Sequence, residues 1–587
     1  MDSGRGSAPF PGRTGGAPVK KLQRYFRRLT KEDVVRFVLI YSIVVFLAVF
    51  FVFPLGTLFI KAFQDKSGAF AGLAQFRKYF SSAALLTSVW HTFFIALMST
   101  LFSVGFAFLF AYSLSRKQVP GKGFLRYTGM IPIFAPTMLL GISLIYLFGN
   151  KGILTGLGLV IPLYGATGII LAESIYCFPV ATTILMVAFS AADNRLYEAA
   201  ESMGTSAWRK LVTITLPNVK YGLLSAAFVC FTYSFTDFGA PSVVGGNYGV
   251  LATDVYKQVV GQQNFNMGAV VGIILLFPAV LSFVVDRITS RKQNAVITAK
   301  SVPYVIKPHR MTDILATVFC YAVSIGLILF FGVALFASLI KLWPYNLTLT
   351  LDNYDLTHVA SGDGLNAFLN SIKISLISAV IGTTVTFLAA YMTERTRGFK
   401  GIRRILYFLC ITPLAIPGTV IGLSFIMYFN ASLFPIPFTK YALVNPFHGI
   451  YGTIWVIVLA NIIHFFSVPF TTATTSLKRL DKEFDIVSES LRVPFYKTLQ
   501  WVILPICSPA ILEMAVYFFV NSLVTVSAVV FLYTPAAKIA SVVIVNMEGA
   551  GDVAPAAAMS MILLFINLAV RLVYEGVRTW QEKAGKR

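Results

Sequence analysis

Two stretches of this chain read DNRLYEAAESMGTSAWRKLVTITLP from Asp193 to Pro217 and DKEFDIVSESLRVPFYKTLQWVILP from Asp481 to Pro505. We call them the first and second signature loops. They align without a gap, and the matching pairs are Asp193 with Asp481, Glu201 with Glu489, Ser202 with Ser490, Arg209 with Lys497, and Leu216-Pro217 with Leu504-Pro505. A shared pattern of this length indicates that one unit was duplicated and fused.

The sequence on both sides of the signature loops is strongly apolar. Of the 587 residues, 57% are hydrophobic and 12% are charged, which is far from the composition of a soluble globular protein. Apolar runs of roughly 20 residues, the length that crosses a bilayer as a helix, recur about twelve times. They lie near residues 37–61, 90–114, 127–149, 164–191, 219–240, 266–286, 313–340, 366–392, 405–430, 449–475, 507–531 and 554–577.

The runs divide equally between the two halves. Because the number of spans in each half is then even, both halves should have the same orientation in the membrane. We therefore predict an all-α polytopic membrane protein whose transmembrane helices form two parallel six-helix repeats, with the lipid bilayer as its surroundings. The predicted units are an N-terminal tail (1–36), a first repeat (37–295), a linker (296–312), a second repeat (313–577) and a C-terminal tail (578–587).

A second correspondence lies at the third span of each half. Residues 131–136 read IPIFAP and residues 412–417 read TPLAIP, with Gly141 and Gly422 following at the same distance. Two prolines four positions apart remove backbone donors and bend a helix. The pattern predicts a shared kink, which is either a fixed bend or a functional hinge.

The positive charge of the chain is concentrated in alternate loops. The formal net charge is +23, and the Lys and Arg clusters fall at 24–36, 116–126, 287–310 and 395–404. This is the positive-inside pattern, which predicts that both termini and the basic loops are cytoplasmic. Because membrane orientation accounts for the charge, we expect no nucleic-acid partner.

Each signature loop is predicted to be a short helix that ends before a proline. In the first loop, Ala199, Ala200 and Gly204 lack bulk, so another protein can approach them closely. The alternative is a plain amphipathic helix lying in the membrane interface.

The first signature loop resembles the EAA loop of ABC-type importer permeases. The residues that carry the resemblance are Glu198, Ala199, Ala200, Gly204, Ile214, Leu216 and Pro217. A degenerate form recurs in the second loop at Ser488, Glu489, Arg492, Leu504 and Pro505. The replacement of Gly204 by Arg492 predicts that the two loops make different contacts.

The resemblance implies a permease of the type I ABC importer kind in the bacterial inner membrane. In that family a periplasmic solute-binding protein delivers a small-molecule solute, and a cytoplasmic ATPase dimer that holds ATP and Mg drives transport. The chain has no Gly-x-x-x-x-Gly-Lys-Ser/Thr phosphate loop. We therefore expect a transport subunit that is not an enzyme and binds no cofactor itself.

Further stretches resemble the fused permeases for 2-aminoethylphosphonate or ferric iron, and the phosphonate branch more closely. They lie at 236–241, 250–258, 490–496 and 526–533. The expected solute is therefore 2-aminoethylphosphonate, with ferric iron, thiamine and polyamines as alternatives.

Polar residues inside apolar runs are costly, so they are candidates for the solute pathway, although many such residues only join helices. The candidates are Thr232, Ser234, Thr236 and Asp237 in the fifth span, Asn521, Ser522, Thr525 and Ser527 in its counterpart, and Lys373 in the eighth span. Asp237 would pair with an ammonium group or another cation, or else cap a helix or form a loop salt bridge. Glu173 and His464 lie deeper in their spans, and their roles stay open. No metal-ligand spacing occurs.

Two other classes of protein compete with this interpretation. A secondary transporter would need membrane-embedded carboxylates for its coupling ion, and few are present here. A structural or sensory membrane protein would carry no solute and bind no ATPase.

Overall fold

The computed structural model describes residues 31–296, 302, 304–396, 398–435, 442–481 and 483–584. Most of the predicted N-terminal tail, part of the predicted linker (297–301 and 303) and the last three residues of the chain (585–587) lie outside the described residues. The predicted unit boundaries stay predictions.

The described part of the chain is mostly helical. The helices of the first half are α1 (Lys31–Ala62), α2 (Ala74–Phe80), α3 (Ala83–Arg116), α4 (Lys122–Met130), α5 (Thr137–Phe148), α6 (Ile153–Gly156), α7 (Ala166–Ser190), α8 (Asn194–Ser202), α9 (Ala207–Thr236), α10 (Gly239–Val244), α11 (Leu251–Tyr256) and α12 (Phe265–Val296).

The second half repeats this order with local differences. Its helices are α13 (Arg310–Leu339), α14 (Gly364–Glu394), α15 (Lys400–Ile411), α16 (Gly418–Phe429), α17 (Ile454–His464), α18 (Ser467–Arg479), α19 (Glu483–Ser490), α20 (Phe495–Val524), α21 (Ala540–Ala550) and α22 (Val553–Ala584). Two small antiparallel hairpins pair β1 (Ile340–Leu342) with β2 (Asn346–Leu349), and β3 (Leu433–Pro435) with β4 (Ala442–Val444).

The predicted membrane architecture is confirmed. Over the described residues, 10 helices are long and apolar enough to cross a membrane, and the number rises to 12 if each of two bent helix pairs is one span. Each predicted run falls on one of these helices or helix pairs. The chain is therefore a polytopic all-α membrane protein.

The predicted kinks occur at the paired prolines. A short 3-10 turn separates α4 from α5 at Ile131–Phe134, and another separates α15 from α16 at Thr412–Ala415. The bend between α15 and α16 is 111°. Proline lacks the N–H group that continues a helix, so the third span of each half is broken at the same place.

The first helix of each half packs against the opposite half. In α13, Ser324 accepts a hydrogen bond of 2.9 Å from Thr128 of α4. In α1, the Phe50 ring lies 5.2 Å from the Phe447 ring of the second half. The two repeats therefore interlock, and neither buries its apolar faces by itself.

Close packing after the kink depends on Gly422 of α16. A Cβ atom at this position would lie 2.5 Å from the backbone oxygen of Ala528 and 3.1 Å from the Phe531 ring. A backbone oxygen cannot move aside as a flexible side chain can. We expect Gly422→Ala to lower the midpoint of thermal unfolding in detergent, because overpacking costs about 1–3 kcal/mol.

The control for this prediction is Gly326→Ala in α13, where an added Cβ meets no atom within 4 Å. Its midpoint should match that of the unaltered chain. Equal midpoints for Gly422→Ala and the unaltered chain would show that α16 is not closely packed here.

Candidate functional site

The first signature loop holds the short helix α8, which has well-defined ends, and the start of α9. The prediction that the loop helix ends before the proline is wrong, because α9 runs on through Pro217 and α20 through Pro505, each after a π-helical turn. Asp193 caps the start of α8, since its Oδ1 accepts a hydrogen bond from the N–H of Arg195 at 3.1 Å. At the other end, the N–H of Thr205 donates to the Ala200 oxygen at 3.0 Å. Gly204, between them in the turn, has a left-handed φ of +67°. This is the Schellman arrangement that ends many helices.

The second signature loop has the same backbone geometry. The N–H of Val493 donates to the Ser488 oxygen at 2.9 Å, which matches the Thr205 bond in the first loop. Arg492 occupies the position of Gly204 and has a left-handed φ of +52°. The two loops therefore share one fold and differ in the bulk at the turn.

Both loops expose apolar side chains at matching positions. In the first loop, Leu196 is 49% exposed and Met203 is 75% exposed. At the aligned positions of the second loop, Phe484 is 42% exposed and Leu491 is 70% exposed. Exposed apolar side chains therefore recur at equivalent positions of the two loops.

The other predicted loop residues surround these positions. Those exposed are Glu198, Ala199, Gly204, Pro217, Glu489, Arg492 and Pro505; those half-buried are Ile214, Leu216, Ser488 and Leu504; and Ala200 is buried. The loops therefore present polar and small side chains beside their exposed apolar ones.

The linker between the halves contacts the first signature loop through an ion pair and a hydrogen bond. Lys307 forms an ion pair with Glu201, which also pairs with Lys210 at 3.2 Å. Hydrogen bonds from Lys307 and Lys210 lower the pKa of the Glu201 carboxyl group below its ordinary value. The backbone N–H of Val305 also donates to the side chain of Asn194 at 3.1 Å.

Two adjoining cavities of about 170 and 110 Å³ lie between the two halves. They are bounded by the ends of α9 and α20 and by the kink between α15 and α16. Six of the predicted pathway residues line them, namely Thr232, Thr236, Asp237, Asn521, Thr525 and Ser527. We call the two cavities together the central cavity.

Three predicted pathway residues lie elsewhere. Ser234 and Ser522 are buried beside the central cavity but do not line it. Lys373 is exposed on α14 and lines neither part of the cavity. The structure therefore brings together the polar residues of α9 and α20 and separates the lysine from them.

Asp237 is the acidic residue of the central cavity. One of its carboxylate oxygens accepts a hydrogen bond from the N–H of Ala240 at 2.8 Å, so the side chain caps α10 while it faces the cavity. The fully buried Glu173 of α7 lies next to it. Two neighbouring carboxyl groups repel each other unless a proton or a cation lies between them.

Sequence reasoning missed Tyr176 and Tyr517 and left His464 undecided, yet all three line the central cavity. Two of them could have been found from the sequence. If the alignment of the signature loops is extended toward the N-terminus without a gap, Tyr176 corresponds to His464. Nothing in the sequence around Tyr517 distinguishes it from other aromatic residues in apolar runs.

The interlocked repeats, the polar central cavity and the two exposed loops together define a membrane-embedded transport subunit. Residues 103–294 match the family described as "Binding-protein-dependent transport system inner membrane component". The putative ferric transport system permease-like protein AfuB of Escherichia coli strain K12 is 36% identical over 110 residues, which are 18% of this chain and 92% of AfuB. The chain therefore belongs to this family of inner-membrane permeases, and it is not an enzyme.

The similarity to other relatives extends through both halves. The ferric transport system permease protein FbpB of Actinobacillus pleuropneumoniae is 27% identical over 557 residues, which are 91% of this chain and 77% of FbpB. Among solved structures, a bacterial alginate ABC transporter matches 49% of this chain and 99% of its own chain at 17% identity, with a TM-score of 0.38. The family match and the similarity to FbpB through both halves make the chain a multi-pass permease of a binding-protein-dependent ABC importer.

Proposed function

We propose that this chain forms the translocation pathway for ferric iron in an ATP-driven importer. The observation that carries the proposal is the placement of Asp237 in the central cavity, beside the buried Glu173. The similarity to FbpB over both halves supports the same solute.

The charge of the central cavity favours a cation. Among the residues that the structure describes, no lysine or arginine lines the cavity, whereas Asp237 does. Tyr176, Tyr517 and Ser527 add phenol and hydroxyl oxygens. Hard cations prefer oxygen ligands of these kinds.

A pathway must also release its solute. Within the described residues, no three His, Cys, Asp or Glu side chains come together as metal ligands. Transport needs binding that is favourable enough for entry and weak enough for exit. A single carboxylate with neutral oxygens suits a cation that passes through and does not stay.

The second candidate solute is 2-aminoethylphosphonate, whose ammonium group would pair with Asp237. It is favoured by the sequence stretches at 236–241 and 526–533, which border the central cavity. Thiamine and polyamines are also cationic and fit the same reasoning.

The signature loops are the proposed docking sites for the ATPase dimer, which would hold the ATP and Mg. The matching exposed residues Met203 and Leu491 support this assignment. It places both loops and both termini in the cytoplasm, in agreement with the distribution of Lys and Arg, and a periplasmic solute-binding protein then meets the opposite face.

The test is reconstitution of the chain in proteoliposomes with its ATPase and its solute-binding protein. We expect the binding protein loaded with ferric iron to stimulate ATP hydrolysis and to deliver radiolabelled iron to the lumen. Stimulation by 2-aminoethylphosphonate alone would overturn the iron assignment in favour of the second candidate. Transport without any ATPase would overturn the importer assignment.

A further inference from the structure

A buried arginine ends α3 beside the first signature loop. The Arg116 residue is 4% exposed, and its Nη2 donates a hydrogen bond of 2.9 Å to the Phe189 oxygen at the end of α7. Its guanidinium group lies 5.2 Å from the ring centre of Tyr197 in α8 and 4.0 Å from that of Tyr304 in the linker. This single side chain therefore joins α3, α7, the loop helix and the linker.

A second buried arginine takes the same place in the other half. The Arg395 side chain follows the last residue of α14 and is 4% exposed. Its Nη1 and Nη2 donate to the backbone oxygens of Leu480 and Asp481 at 3.1 and 2.9 Å. Its Nε lies 3.1 Å from the carboxylate of Asp485 in α19. All three partners belong to the second signature loop or precede it directly.

The two arginines are equivalent by sequence as well as by position. Each follows an Ala-Tyr pair at the same distance, Ala111-Tyr112 before Arg116 and Ala390-Tyr391 before Arg395. Their loop partners are also aligned, since Tyr197 corresponds to Asp485 in the loop alignment. Each half therefore has a buried arginine that contacts its signature loop. The contact is a cation–π interaction with Tyr197 in the first half and an ion pair with Asp485 in the second.

The helices that carry the arginines lead to the central cavity. Helix α3 packs along α7 and α9, and α14 packs along α18 and α20. Asp237 follows the end of α9, and Asn521 lies near the end of α20. A displacement of either loop helix that is passed to α3 or α14 would therefore reach the cavity walls.

We propose that Arg116 and Arg395 are positioning residues that fix the two signature loops to α3 and α14 and carry the movement of the ATPase into the pathway. This proposal rests on the proposed docking of the loops to an ATPase. Lysine cannot replace arginine in either place, because an ammonium group lacks the planar guanidinium shape. At Arg395 that shape meets two carbonyl oxygens and a carboxylate. At Arg116 it meets a carbonyl oxygen and two tyrosine rings.

The experiment measures solute transported per ATP hydrolysed in proteoliposomes that contain the full complex. We expect Arg395→Lys to lower this ratio about tenfold while the ATPase still co-purifies with the chain. Arg116→Lys should act in the same direction. A purely structural role would reduce the amount of complex and leave the ratio of the remaining complex unchanged, and that result would overturn the proposal.

The matched control is Arg404→Lys, an exposed arginine of α15 whose replacement should leave the ratio unchanged. If Arg395→Lys does not assemble, Asp485→Asn tests the same contact from the loop side, and a normal ratio in it would overturn the proposal for the second half. The proposal would also be overturned if the ratio of transported solute to hydrolysed ATP fell as much in the control Arg404→Lys as in the Arg116 and Arg395 variants. Failure of the unaltered complex to couple transport to ATP would instead overturn the proposed function.

Discussion

Asp237→Asn is expected to reduce iron transport at least about tenfold, with little effect on folding. Asparagine keeps a side-chain oxygen that can accept the hydrogen bond from Ala240, so the cap of α10 is retained. The change removes only the negative charge that faces the central cavity. The measurement is the rate of radiolabelled iron entry into proteoliposomes, together with the thermal stability of the purified complex.

The control for this change is Ser234→Ala, because Ser234 lies three residues before Asp237 at the end of α9 and is buried, but does not line the central cavity. It should transport at the normal rate. Unchanged transport by Asp237→Asn would remove this carboxylate from the mechanism, and the aspartate would then serve only as a helix cap. A complex that transports 2-aminoethylphosphonate should show the same loss, since its ammonium group would pair with the same carboxylate.

Gly204→Arg is expected to uncouple ATP hydrolysis from transport, whereas Arg492→Gly should have a mild effect. Gly204 lies in a left-handed turn at the exposed tip of the first loop, and a Cβ atom there would meet no atom of this chain within 4 Å. The chain itself therefore has room for a side chain. The obstacle would be the ATPase surface against which this tip is proposed to pack.

A second variant separates bulk from backbone strain. A residue other than glycine in the left-handed conformation costs roughly 1 kcal/mol, and Gly204→Ala carries that cost without the bulk of arginine. We expect Gly204→Ala to remain largely coupled. The measurement is the stimulation of ATPase activity by the loaded binding protein. Equal effects of Gly204→Arg and Arg492→Gly would contradict the predicted difference between the two loops.

The left-handed φ of Arg492 sharpens the interpretation of the loop alignment. From the sequence, the replacement of Gly204 by Arg492 predicts different contacts in the two loops. The structure shows that the turn itself is the same in both, with equivalent hydrogen bonds at the end of each loop helix. Arginine thus adopts a conformation that glycine adopts more readily, and at this turn the two loops differ in the side chain and not in the backbone.

The sequence by itself determined the membrane architecture, the duplication and the kinks. These features depend on local properties: the apolar length that spans a bilayer, the offset that aligns Asp193 with Asp481, and the missing N–H groups of paired prolines such as Pro413 and Pro417. Each can be found by counting along the chain.

Only the tertiary structure decided which polar residues meet. Asp237 and Asn521 share a cavity with Tyr517, while Ser234 and Lys373 point elsewhere, because the rotation of each helix is set by packing against neighbours far away in sequence. The packing of α1 and α13 against the opposite half is likewise decided by tertiary contacts. The contacts of Arg116 and Arg395 likewise depend on the tertiary structure, which brings helix ends, loops and linker together.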